Sequence, residues 1–125
     1  MNPSEIVREF WNRMGARDWD GLRELMADGV VIDWLASGER FAGRENIVGV
    51  NAAYPLGWSI EVLSVVADGE TVASEVAVPH ETLGDFRVAS FWTVRDGRIV
   101  SGREYWTTVG GDPAPEWRTA YAQRI

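Results

Sequence analysis

A chain of 125 residues, 46% of them apolar and seven of them tryptophan, has the material for a single domain over 1–125 with one core. Its formal net charge of −7, with all 12 basic residues arginine, argues against a nucleic-acid partner, because an acidic surface repels phosphate; the lack of lysine excludes Schiff-base chemistry. Cysteine is absent, which excludes disulfides and thiolate catalysis, and neither an apolar run of about 18 residues nor a basic-then-apolar start is seen, so the expectation is a cytoplasmic protein with no membrane partner.

The first element is a helix. Asn2 is placed to cap it, Pro3 suits the first helical position, and Glu5 stands three residues after Asn2 as in a capping box. Ile6, Val7, Phe10, Trp11 and Met14 recur at helical spacing, and Gly15 ends the run. Asp18 then caps a second helix, with Trp19, Leu22, Leu25 and Met26 on one side.

Val30 to Leu35 reads as a strand, Gly38 to Phe41 as a turn with a short paired strand, and Arg44 to Tyr54 as a third helix stopped by Pro55 and Gly57. Four segments rich in β-branched and aromatic residues follow: 58–67, 71–79, 85–95 and 98–108. Asp68-Gly69 and Asp96-Gly97 mark tight hairpins between them. After Gly110-Gly111-Asp112-Pro113, residues 116–124 read as a short helix whose Trp117 and Tyr121 pack back onto the body. Helices first and a strand meander later predict an α+β fold. A strongly curved, mainly antiparallel sheet wrapped around helices would form a cone with an apolar pocket at its mouth.

Two carboxylates stand out. Glu104 lies mid-strand among bulky aromatics and shares a face with Gly102 and Trp106. Walled off from water, its carboxyl would hold its proton to near neutral pH and serve as an acid or base; facing water, it would pair with an arginine. Glu75 lies between Ala73 and Ala77, which leave space around it, on the face opposite Val72, Val76 and Val78. Two carboxylates in one cavity separate in pKa, so that one donates and the other accepts. The alternative is cross-strand pairing with Arg87, Arg95 or Arg103.

Asp33 is placed either to join the cavity or to satisfy loop donors. His80, at a strand end, is either a proton shuttle at the rim or a plain turn residue. Trp34, Trp92, Trp106, Ser90 and Tyr54 are the expected substrate-binding residues, Tyr54 through its hydroxyl. Nucleotide-binding loops, serine elbows and His-Glu-x-x-His are missing from the sequence, so neither cofactor nor metal is expected.

Ala16-Arg17-Asp18-Trp19-Asp20-Gly21-Leu22, Gly43-Arg44-Glu45-Asn46-Ile47 and Asp96-Gly97-Arg98-Ile99-Val100, in this order of elements, resemble the NTF2-like superfamily. Within it the chain is similar to the SnoaL-like branch of polyketide cyclases, limonene-epoxide hydrolases and ketosteroid-isomerase relatives. The resemblance covers nearly the whole chain. It implies the cone fold, cofactor-independent acid/base chemistry on a small apolar molecule, and a homodimer formed through the outer sheet face.

Arg103-Glu104-Tyr105 is similar to the Arg-Asp-Tyr of the epoxide hydrolases. Glu104 falls where those enzymes keep a water-activating aspartate and where the cyclases keep an acid/base aspartate. Glu75 falls near the hydrolases' second carboxylate, but their arginine corresponds to Ala73, and the tyrosine and asparagine that hold their water correspond to Asp33 and Leu35. The isomerases' tyrosine and two aspartates correspond to Phe10, Trp34 and Ser90, so steroid isomerisation is not implied. The expected function is therefore cyclisation, isomerisation or epoxide opening by Glu104 and Glu75; the alternative is a non-catalytic small-molecule-binding or dimeric assembly domain.

Overall fold

The computed structural model describes residues 1–125. Helix α1 (Pro3–Gly15) has the capping box that its sequence specifies: the Glu5 amide donates to Asn2 Oδ1 at 2.9 Å and the Asn2 amide to Glu5 Oε1 at 3.1 Å. Its stripe from Ile6 to Met14 is fully buried. Helix α2 (Trp19–Glu24) begins at Asp18, whose carboxylate accepts from the Gly21 amide at 3.0 Å.

This helix stops before Leu25, because Met26 already belongs to strand β1 (Met26–Trp34). The strand starts four residues before the predicted Val30, and its register on the neighbouring strand shifts between Met26 and Val31. That bulge breaks the period of two by which a strand is recognised in sequence. Strand β2 (Glu39–Ala42) and helix α3 (Arg44–Ala53) follow, then β3 (Glu61–Asp68), β4 (Thr71–His80), β5 (Gly84–Arg95) and β6 (Arg98–Thr108).

The six strands form one sheet in the order β2-β1-β6-β5-β4-β3. All pairs are antiparallel except β1 with β6, so the α+β reading holds, with a parallel contact that local sequence does not reveal. Asp96 and Gly97 both adopt positive φ, 52° and 76°, between the paired Arg95 and Arg98, as a type I′ hairpin requires. The other hairpin turns one residue later than expected, at Gly69-Glu70, between the paired Asp68 and Thr71.

Alternation assigns Val72, Val76 and Val78 of β4 and Val88, Trp92 and Val94 of β5 to the inner face, where they join the α1 stripe, Leu22, Ile32 and Ile47 in a single core. The strand expected from Trp58 begins only at Glu61; Trp58 instead makes an isolated bridge to His80. Arg17 stacks 3.5 Å above the Trp58 ring and donates to its carbonyl at 2.6 Å. The C-terminal segment is a 3-10 helix (Glu116–Tyr121) without a side-chain cap. Contrary to expectation it does not pack back: Trp117 and Tyr121 are 76% and 89% exposed. No helix is long and apolar enough to cross a membrane.

Candidate functional site

Strand register builds the site. Ser74 of β4 pairs with Ser90 of β5, Ser90 with Glu104 of β6, and Glu104 with Trp34 of β1. These four side chains form one row across the inner face, in a sheet surface otherwise made of valine, isoleucine and tryptophan. The parallel β1–β6 contact delivers Trp34 to Glu104, and alternation along β6 adds Trp106 to the same face.

Glu104 is 4% exposed. Burial pushes its carboxyl up to about 7, and the indole N–H groups of Trp106 and Trp34 nearby pull back in part, although Trp106 Nε1 makes no hydrogen bond of ordinary geometry. No charged partner contributes to this shift. The pairing with Arg87, Arg95 or Arg103 that the alternative reading required does not occur: Arg87 bonds Asp85 at 2.6 Å, Arg95 pairs with Glu70, and Arg103 lies over the Phe91 ring on the outer face. Glu104 is thus a carboxylic acid in an aromatic setting without a counter-charge.

The aromatic wall is continuous. Trp34 contacts Phe41, Tyr54 and Trp106 at ring-centroid distances of 4.7, 6.5 and 5.7 Å, and Trp106 stacks on Tyr54 at 6.2 Å and meets Phe86 at 6.0 Å. Two expected site residues, Trp34 and Trp106, therefore stand beside Glu104, Tyr54 packs against both of them, and Ser90 faces Glu104 across the ladder.

The expected open pocket is closed. Behind Tyr54 and Trp106 lies a hollow of about 20 Å³, lined also by Trp11, Met14, Asn51, Trp58, Ile60 and Val78, which is room for a single water molecule. In front of the same two rings is an open recess of about 260 Å³ between Trp34, Glu39, Phe86 and Thr108. Glu104 lines neither space. In this conformation the seal of tryptophan and tyrosine rings keeps a ligand from the acid.

Three expected site residues lie elsewhere. Glu75 is exposed on the outer face, one residue out of phase with Ser74. The space beside Ala73 and Ala77 was misleading, because the valine face is the one that the core claims, so the two glutamates do not share a cavity. Asp33 points away from Trp34 and holds Arg40 in a two-pronged pair at 2.7 and 2.9 Å; these hydrogen bonds keep its carboxyl below the usual range. Trp92 forms the floor of the core rather than a pocket wall. It packs on Phe10 and Trp11 at 4.9 and 5.9 Å and donates to Ser74 Oγ at 2.9 Å.

His80 is held by backbone groups at both ring nitrogens. Its Nε2–H donates to Pro55 O at 2.9 Å, and Nδ1 accepts the Thr82 and Leu83 amides, each at 3.1 Å. Both ring nitrogens are engaged, which ties the β4 end to the chain after α3. The residue that sequence reasoning missed is Ser74, which accepts the indole N–H groups of both Trp11 (3.1 Å) and Trp92. Its signal was available: like Ser90, it is a polar break in an apolar alternation.

The SnoaL-like domain family matches residues 7–102, ending two residues before Glu104. Among curated proteins none matches the sequence. Similar solved structures include a Kribbella flavida DSM 17836 protein assigned as a ketosteroid isomerase (24% identity, TM-score 0.86, covering 98% of this chain and 89% of that one). They also include IdmH of Streptomyces antibioticus, assigned as a polyketide cyclase (22%, TM-score 0.75, 85% and 92%), and an LEH-like epoxide hydrolase of M. tuberculosis (24%, TM-score 0.72, 84% and 82%). At these identities the structures establish a shared NTF2-like fold and not a shared reaction. By its family match the chain belongs to the SnoaL-like domain family, whose fold hosts isomerases, cyclases and epoxide hydrolases.

Proposed function

We propose that the protein is a cofactor-independent acid/base enzyme acting on a small apolar molecule, with Glu104 as the proton carrier. The observation that carries this reading is a buried glutamic acid with no cation beside it, its carboxyl raised to about 7 by burial among indoles. A purely structural carboxylate is usually paired, whereas an acid held near neutrality donates and accepts protons with little driving-force penalty.

Access requires Tyr54 and Trp106 to swing aside, which would merge the hollow with the outer recess and bring a ligand edge to Glu104. Their stack is the seal, and they become the walls once it opens. With Glu75 on the outer face, the second polar group on the substrate side is an indole N–H of Trp34 or Trp106. Such donors would hold a substrate oxygen while Glu104 moves the proton in cyclisation, isomerisation or epoxide opening.

Replacing Glu104 by Gln keeps the shape and removes the proton carrier. On a substrate identified by screening neutral ketones and epoxides, turnover should fall by about 10²–10⁴-fold; undiminished turnover refutes the reading. The closed hollow favours one other reading, a non-catalytic domain in which Glu104 is an uncharged core group. In that case Glu104→Gln changes no activity, and no ligand displaces the Tyr54–Trp106 stack.

A further inference from the structure

The row Ser74–Ser90–Glu104 contains a detail that the acid/base reading does not use. Ser74 Oγ accepts two indole N–H groups, from Trp11 at 3.1 Å and Trp92 at 2.9 Å. A serine hydroxyl has two acceptor sites and one hydrogen. With both acceptor sites taken, Ser74 has only its hydrogen left to offer, and its neighbour along the row is Ser90. Ser90 is 1% exposed and its hydroxyl has no hydrogen-bond partner, a costly state for a buried polar group. On its other side in the ladder stands Glu104. Side chains directly opposite in a ladder have Cβ atoms about 4.5–5.5 Å apart, so the Ser90 oxygen can approach Ser74 by a turn about χ1, and the longer Glu104 side chain can reach across the other gap to the same oxygen.

We propose that Ser90 is a positioning residue: when Glu104 ionises, the Ser90 hydroxyl donates to its carboxylate and Ser74 donates to Ser90, giving a one-way chain from the Trp11 and Trp92 indoles to the anion. The two indoles fix the direction. Every hydroxyl in the chain points its hydrogen toward Glu104, so the chain favours the charged form and offsets part of the cost of burial. When Glu104 is protonated it is a weaker acceptor, and the hold of the chain on it slackens.

Other charges do not compete for this role. Arg87 and Arg103 lie on the outer face of β5 and β6, and Asp33 pairs with Arg40 outside β1. Glu9 and Arg13 of α1 pair with each other, and the inner side of α1 is apolar. On the inner side from α3 and β4 the titratable groups are Tyr54 and His80, and His80 is held by the backbone at Pro55, Thr82 and Leu83. The role in turnover rests on the acid/base reading; the chain itself does not.

The test is a carbon-13 NMR titration of the Glu104 carboxyl in the full chain, with no substrate. Ser90→Ala should raise the Glu104 midpoint by on the order of one pH unit, and Ser90→Thr, which keeps the hydroxyl, should restore it. A midpoint that stays or falls in Ser90→Ala, or a rise that Ser90→Thr does not reverse, overturns the proposal. Should Ser90→Ala fail to fold, Ser90→Cys keeps the volume with a weak donor, and a rise or its absence is read in the same way. Because the titration needs no turnover, failure here leaves the Glu104→Gln activity test intact, and failure of that test leaves this one intact.

Discussion

Trp92 lies flat against Gly102 across the β5–β6 ladder, so close that a Cβ on Gly102 would stand 2.5 Å from Cε3 and 2.6 Å from Cζ3 of the indole. The ring is in no position to retreat: its N–H is bound to Ser74 and the ring packs at a tilt against Phe10, 4.9 Å between centroids. Gly102→Ala should therefore cost about 1–3 kcal/mol by overpacking. Gly29→Ala, where nothing lies within 4 Å of the new Cβ, should stay within about 0.5 kcal/mol. Urea unfolding of the two variants checks the contrast; equal costs would mean that Trp92 is not pinned.

The same pair shows how far sequence carries. Alternation along β6 put Glu104 and Trp106 on one face correctly, because period two is a local property. Which face of β4 meets the core is not local. Ala73, Glu75 and Ala77 offered space, but α1 fills the valine side, so Glu75 fell outside. The parallel pairing that sets Trp34 beside Glu104 depends on strands about seventy residues apart and left no local mark, and the β1 bulge concealed the strand's start. Closure of the pocket depends on how Tyr54, at the end of α3, meets Trp106, which composition cannot specify.

Ser74 joins α1 to the sheet through two indoles. Ser74→Ala leaves both N–H groups buried and unpaired, each at about 1–3 kcal/mol before relaxation. Ser74→Ala should lower the unfolding free energy and alter the near-ultraviolet circular dichroism of the tryptophans, while Glu75→Ala, one residue away on the exposed face, should leave both unchanged. A Ser74→Ala protein as stable as the parent would refute the keystone role.

Burial of Glu104 makes a signed prediction about pH. Its folded pKa of about 7 lies above the ordinary value of 4.5, so the folded chain binds the extra proton between those limits. The associated stability is fully present below about pH 4.5 and is lost as pH rises through about 7. Relative to Glu104→Gln, the parent should therefore lose roughly 3 kcal/mol between about pH 4.5 and about pH 8. Paired denaturation curves across that window measure it; a parent that gains on the variant as pH rises would mean that Glu104 is ionised and paired when folded.

Trp106 carries two opposed effects on Glu104, and removing it decides which is larger. Its ring separates the inner hollow from the outer recess, and its indole N–H favours the carboxylate. Trp106→Ala would open one continuous space to water. Loss of the N–H alone would raise the pKa of Glu104, whereas renewed hydration would lower it, and burial is the larger of the two causes. The Glu104 midpoint should therefore fall from about 7 toward the ordinary carboxylate range, with a stability loss of about 2–4 kcal/mol for the deleted, half-buried ring. The opened space should also bind a neutral naphthalene-type dye that the parent excludes. If the midpoint rises instead, the indole and not dehydration controls the acid, and the seal formed by Tyr54 and Trp106 is not what keeps Glu104 protonated near neutral pH.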